Sequence, residues 1–176
     1  NRFVFIGVKN EIAQNIEMPT GTFTKDNYNT VKDAIKDIEN VRTVFETSED
    51  SGAELTDDFE PTSLTPLLRD SKKLYNHIIT KTRAVAKARF EALGQGENFH
   101  FLDVTLKENT YTDVSRTQNT IYQRLNYEKP SGTVVNVRKS MWIHPTINRA
   151  VSIREAARLQ TFPDSFVFCG TKDSQY

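Results

Sequence analysis

Between residues 121 and 149 the chain gathers side chains suited to reading a flat, polyanionic partner: Gln123, Arg124, Asn136, Arg138, Lys139 and His144. Arg and Lys donate to the two acceptors on a guanine edge, while Asn and Gln combine donor and acceptor, which suits adenine or a backbone group. Pro130 and Gly132 flank Ser131, a pairing that fixes a turn and leaves room for close backbone approach. Such side chains could serve recognition of bases and phosphates rather than bond making. Cys169 lies between Phe168 and Gly170, apolar company that disfavours a thiolate, so it is expected to pack. His77 and His100 stand without metal-ligand spacing, so both are expected to be structural or surface residues and no metal site is expected.

Such a reading surface needs a rigid base, and residues 152–161 supply the clearest candidate. Ser152 and Glu155 stand at capping-box spacing, Ile153, Ala156, Ala157 and Gln160 share one helical face, and Pro163 stops the helix. A second helix is predicted behind Thr30, where Val31, Ala34, Ile35 and Ile38 form one apolar stripe. A long basic helix is expected roughly from Ser71 to Leu93, with Gly94 as its cap, because Ile79, Thr82, Ala86, Phe90 and Leu93 recur at helical spacing. Its basic face is a candidate for phosphate contact. Phe3–Val8 reads as a buried strand, and Phe99–Leu102 as part of a small core. Residues 9–29 and 111–119 read as loops, and Gly94-Gln95-Gly96 has too few glycines to cradle a phosphate.

Composition sets outer bounds. The 176 residues suffice for one domain with a real core, and the formal net charge is zero, so any DNA affinity must come from local charge. The acidic run at 46–60 would be repelled by phosphates and is expected to face away from DNA. A single cysteine excludes a disulfide framework and fits a reducing, cytoplasmic setting, and no apolar run is long enough for a membrane helix. The chain begins at Asn1 rather than Met and is expected to be part of a longer one.

The string Arg154-Glu-Ala-Ala-Arg158-Leu-Gln-Thr-Phe-Pro163-Asp164-Ser-Phe166 closely resembles the ninth motif of the C5-cytosine DNA methyltransferases. In that family this helix props up the DNA-reading domain, which makes Arg154, Glu155, Arg158, Pro163 and Asp164 structural residues by resemblance. Arg2-Phe3-Val4-Phe5-Ile6-Gly7 resembles the second half of the eighth motif, which implies that Arg2 approaches the flipped cytosine. Tyr122–Val134 looks like the family's Arg-Leu to Thr-aliphatic segment, in which Thr133 would pack at the phosphate beside the extruded base, and His144-Pro145 also recurs there. Glu39-Asn40-Val41 spells part of the sixth motif but stands in the wrong order and lacks a preceding Pro-Cys. It is read as coincidence.

The resemblance implies an α/β fragment of a Rossmann-like methyltransferase, most of it the small mixed α+β target-recognition domain. Residues 1–40 would end the catalytic domain; residues 41–176 would form the recognition domain, with the ninth-motif helix at 152–161. The parent would be a DNA (cytosine-5)-methyltransferase that flips cytosine and uses S-adenosylmethionine, bound outside this chain, in bacterial DNA modification within a restriction-modification system. Without the nucleophile this fragment is expected to be inactive alone. Its partners would be double-stranded DNA and the rest of its catalytic domain, or a separate catalytic chain, in a cytoplasmic, nucleoid-associated location. A DNA-binding specificity subunit or inactive remnant is the alternative.

Overall fold

A computed structural model describes residues 6–9, 27–108, 113 and 116–176. The fold is mixed α/β, with short helices carried on extended chain and one two-stranded antiparallel sheet among the described residues. Helix α1 spans Val31–Ile35 and tightens into a 3₁₀ turn at Lys36–Ile38. Thr30 caps it through a capping box with Asp33, and its predicted stripe is buried, with Ile35 and Ile38 at 0% exposure. Across the acidic region, β1 (Ala53–Glu54) pairs with β2 (Lys73–Leu74), and α2 (Thr65–Leu68) lies between them in sequence.

The predicted long basic helix is much shorter than its periodicity suggested. Only Ala84–Ala92 is helical, as α3, and residues 75–83 run extended, with Ile78 bridging Val44. Ile78, Ile79, Thr80 and Thr82 are β-branched and favour extended backbone, and Asn76 turns the chain at a φ of 63°. Helix α3 ends at Leu93 in extended conformation, not in a glycine cap. Helix α4 follows at Val104–Lys107, and the 3₁₀ turn Phe99–Phe101 before it buries Phe99 in a small core with Phe90, Tyr122 and Ile143.

Three extended passes cross the molecule. The central one, 141–144, runs parallel to 123–125 through Leu125 N–H to Ile143 O (3.0 Å) and antiparallel to 149–151 through Val151 N–H to Trp142 O (2.9 Å). Helix α5 (Val137–Ser140) immediately precedes this pass, and α6 (Ile153–Arg158) follows it. Helix α7 is Lys172–Gln175. The main core joins α1 and α6 through Val31, Ile35, Trp142, Val151 and Ala156. Arg2 and most of the predicted strand 3–8 lie outside the described residues; Ile6 and Val8 are 49% and 37% exposed, with no strand pairing among the described residues. The burial expected of that run is therefore not met at Ile6 and Val8.

Candidate nucleic-acid interface

Helix α6 is where local sequence and tertiary structure agree best. Ser152 Oγ accepts the Glu155 N–H at 3.0 Å, and the Glu155 carboxylate accepts the Ser152 N–H at 2.7 Å. Every residue of the helix is buried, including Arg154, Glu155 and Arg158. Three charged side chains can occupy an interior only if each is matched by hydrogen bonds or opposite charge. Each is matched in a different way.

Glu155 receives both Arg149 guanidinium nitrogens, at 2.7 and 2.6 Å. Burial alone would raise its carboxyl, but the hydrogen bonds and charge of Arg149 outweigh it and hold the group at about 2. Arg158 grips Asp164 in bidentate fashion (Nε to Oδ1 2.9 Å, Nη2 to Oδ2 2.5 Å) and reaches Asp37 and the Ala34 carbonyl behind α1. Burial would lower this guanidinium, yet the two carboxylates raise it, Asp164 more than Asp37. Asp37 is shared with Arg69 at 3.0 Å, so α1, α2 and α6 are pinned through one cluster.

Arg154 pairs with no carboxylate among the described residues. It donates to the carbonyls of Tyr75 (2.9 Å), Pro163 (2.9 Å) and Phe166 (2.7 Å), and to Asn76 Oδ1 (3.1 Å). Its planar fork thereby fixes the 163–166 turn against residues 75–76. Asn76 is the hub that sequence reasoning missed. Its side chain uses both donors, on Phe168 O and Gln175 Oε1 (2.9 Å each), and accepts from Phe168 N–H at 3.0 Å as well as from Arg154. The only local signal was its type, since Asn tolerates left-handed backbone better than most residues.

Burial overturns two of the predicted DNA contacts. Arg124 is 4% exposed and donates to carbonyls of Leu93 (2.7 Å), His144 (2.8 Å) and Phe90, with Asn148 Oδ1 at 2.6 Å. A guanidinium enclosed this way ties α3 to the 144–148 turn and has no donor to offer a base. His144 is 0% exposed; its Nδ1 accepts from the N–H groups of Thr146 and Ile147 at 3.3 Å, so the proton sits on Nε2, 3.6 Å from Glu155. Burial keeps it neutral, with its pKa lowered to about 4. His77 is depressed to about 4 for the same reason and meets Ser152 Oγ at 2.9 Å through Nδ1. Gln123 is half-buried in the pass beside Ile143.

The remaining candidates form an open edge. Residues 131–135 are extended, with no backbone–backbone hydrogen bond from Ser131 to Val135 among the described residues, and Thr133 is exposed. Val134 packs on the core beside it, anchoring the segment. Asn136 caps α5 by accepting the Lys139 N–H at 2.9 Å. Arg138 is drawn to Asp173 of α7, with the Tyr176 ring 6.0 Å away, whereas Lys139 is exposed and pairs with no carboxylate among the described residues. Thr133, Val135, Asn136 and Lys139 border a small pocket of about 210 Å³ floored by Ile121 and Trp142.

Two other sequence readings meet the structure here. Glu39 of the coincidental Glu-Asn-Val string is bound by Tyr127 Oη at 2.6 Å, Thr146 Oγ1 at 3.1 Å and Lys36, so its carboxylate is a structural tie. Cys169 was expected to pack but is exposed; Phe162, Phe166 and Phe168 make the local aromatic cluster instead, with ring centroids 5.0–5.4 Å apart. The Gly94-Gln95-Gly96 turn is a poor fit for S-adenosylmethionine. In the Gly94-Gln95-Gly96 turn the Gly94 N–H is taken by Glu97 at 2.7 Å and the Gly96 N–H by Arg124 O at 2.9 Å, leaving no amide cradle for a cofactor there.

Platform and edge together define a mixed α/β module that presents a polar segment from a rigid charged base. Comparison with known proteins places it: the chain belongs to the C-5 cytosine-specific DNA methylase family, whose model matches residues 1–176. The type II methyltransferase M.DdeI of Desulfomicrobium norvegicum is 27% identical over 180 residues, covering 97% of this chain and 42% of that protein. M.AgeI of Thalassovita gelatinovora is 47% identical over 58 residues, 31% of this chain and 14% of its own length. M.AquIB of Picosynechococcus is 37% identical over 65 residues, 37% of this chain and 47% of that one. The chain thus spans under half the length of these relatives. A crystal structure provisionally described as a prophage-encoded DNA modification methyltransferase (E. coli) shares the fold, with a TM-score of 0.57, 23% identity, and coverage of 84% of this chain and 40% of that one.

Proposed function

We propose that this chain is the target-recognition portion of a DNA (cytosine-5)-methyltransferase, with residues 1–40 closing the catalytic domain and 41–176 reading DNA. The observation that carries the reading is the polar edge at 131–139, with Thr133 and Lys139 exposed, beside the buried α6 platform of a family member. In its full-length form the protein would extrude a cytosine and methylate C5, with S-adenosylmethionine and the nucleophile held by residues beyond this chain. Extruding a base costs a few kcal/mol of stacking and pairing, which phosphate and groove contacts offset. Thr133, Asn136, Arg138 and Lys139 are the contacts this surface offers, Gln123 is a lesser one, and Arg2 would approach the extruded base. Arg154, Glu155, Arg158, Pro163 and Asp164 support the surface from below. The setting that fits is bacterial cytoplasm, at the nucleoid, within a restriction-modification pair; none of the helices is long and apolar enough to cross a membrane among the described residues.

Equilibrium binding to duplex DNA across a salt series tests this reading. Binding should weaken steeply with salt, and Lys139→Ala should lower affinity and reduce the logarithmic salt slope by about 1, as for loss of one phosphate contact. Binding that ignores salt and Lys139 would refute it. A second reading, a specificity subunit of a split enzyme, is favoured by M.AquIB, since 65 aligned residues make up 47% of that relative and it is therefore shorter than this chain. Methyl transfer appearing only when a separate catalytic chain is added would select that reading.

A further inference from the structure

The pocket beside the open edge has a composition that favours one kind of base. Its apolar part is formed by Ile121, Trp142 and Val135, and its polar part by Gln118, Thr120, Thr133, Asn136 and Lys139, with no carboxylate among the lining residues. Val135 is 74% exposed although its neighbour Val134 is packed on the core. Trp142, the only tryptophan in the chain, lies beneath at 1% exposure, and its indole N–H has no acceptor among the described residues. An isolated exposed valine needs no explanation. One standing at the mouth of a pocket whose rim carries the Thr133 hydroxyl and the Lys139 ammonium asks for a ligand that is apolar at one point and accepts hydrogen bonds at the next.

Among the edges that base pairs present in the major groove, thymine alone combines an acceptor, O4, with a methyl group. Guanine offers two acceptors and no methyl, adenine an acceptor and a donor, and cytosine a donor that a carboxylate would receive. We infer that the pocket at Ile121, Val135 and Trp142 reads the C5-methyl edge of a thymine near the methylated cytosine, with Val135 against the methyl and the rim donors toward O4. This rests on the DNA-reading role proposed above. Val135 is then a specificity-determining residue, and the preference it confers is for thymine over its demethylated counterpart.

The test is a cycle of two deletions, one on each side of the contact. The protein in its full-length form and its Val135→Ala variant are titrated with duplexes containing the mapped target, in which each nearby thymine is replaced singly by deoxyuridine. Wild type should lose about fourfold in affinity at one position, the factor a buried methyl group is worth. Val135→Ala should bind the thymine duplex about fourfold more weakly and show no further loss at that position. The Trp142 indole N–H resonance should shift on binding the thymine duplex and shift less on the deoxyuridine one. Because Val135 is exposed, the variant should fold as wild type does, which an unchanged Tm would verify. Neutral deoxyuridine at every position, a target without a nearby thymine, or equal deoxyuridine penalties in both proteins would overturn the inference. Failure of the wild type to bind duplex DNA in a salt-dependent way would instead overturn the reading on which it rests.

Discussion

Replacing Glu155 by Gln keeps the volume of a fully buried carboxylate and removes its charge. Glu155 now accepts the Ser152 N–H at 2.7 Å and two Arg149 donors at 2.7 and 2.6 Å, with His144 Nε2 at 3.6 Å. A Gln oxygen can keep part of this set, but its amide nitrogen must face a donor, and Arg149 stays cationic without its counter-charge. Breaking a buried pair from one side costs about 3–5 kcal/mol. The carboxyl lies at about 2 against an ordinary 4.5, which at 1.36 kcal/mol per pH unit corresponds to about 3 kcal/mol. The two routes agree on a loss of about 3–4 kcal/mol near neutral pH, read as a lower urea midpoint at unchanged slope. The sign with pH follows from the depressed value: the contribution of Glu155 is complete above 4.5 and disappears as pH falls toward 2. The gap between wild type and Glu155→Gln should therefore shrink by about 1.4 kcal/mol on going from pH 7 to 3.5. A midpoint within experimental error of wild type at pH 7, or a gap that does not change on acidification, would refute the argument that this carboxylate is ionised and stabilising inside the platform.

The same interior makes the protein sensitive to milder acid. His77 and His144 are held neutral by burial at about 4 rather than 6.5, so the unfolded chain binds their protons first; stability should be complete above 6.5 and fall between 6.5 and 4, by about 2 kcal/mol per histidine at pH 5. Thermal unfolding against pH measures this, and His77→Asn should flatten the decline. Arg124→Lys should lower stability by about 2–4 kcal/mol, because an ammonium cannot satisfy the carbonyls of Phe90, Leu93 and His144 together. Base preference should be unchanged in that variant, and a shift in preference with intact stability would restore Arg124 as a DNA reader. Thr161 closes α6 at a φ of 66°, with Phe162 N–H on Ala157 O at 3.1 Å; Thr161→Gly should raise stability by about 1 kcal/mol, since a β-branched residue is strained in left-handed backbone. A lower urea midpoint would count against that strain.

What could be read from sequence was local. The starts of α1 and α6 follow from Thr30 with Asp33 and Ser152 with Glu155, signals confined to one helical turn, whereas α6 ends at Arg158, short of the expected 161. Residues 71–83 misled because an i, i+3, i+4 pattern in apolar positions does not register that Ile78, Ile79 and Thr82 resist helix formation, nor that Asn76 breaks the run. Arg124 misled for a different reason. Its partners are carbonyls 20 to 34 residues away, and a backbone acceptor leaves no mark in sequence, so a buried tie and an exposed reader look alike. Asn76 was invisible for the same cause, with partners 92 and 99 positions distant. The residues of the open edge from Thr133 to Lys139 were recognised by type and by resemblance; that Val135 is exposed while Val134 is packed came only from the fold.

The most direct test of the target-recognition role is to map methylated cytosines in DNA from cells expressing the full-length protein, beside cells expressing it with Asn136→Ala and Lys139→Ala. The account predicts methylation at one defined sequence, and in the double variant a lower level or a relaxed requirement at a neighbouring base, with protein abundance unchanged. The same sites methylated to the same extent in both would contradict it.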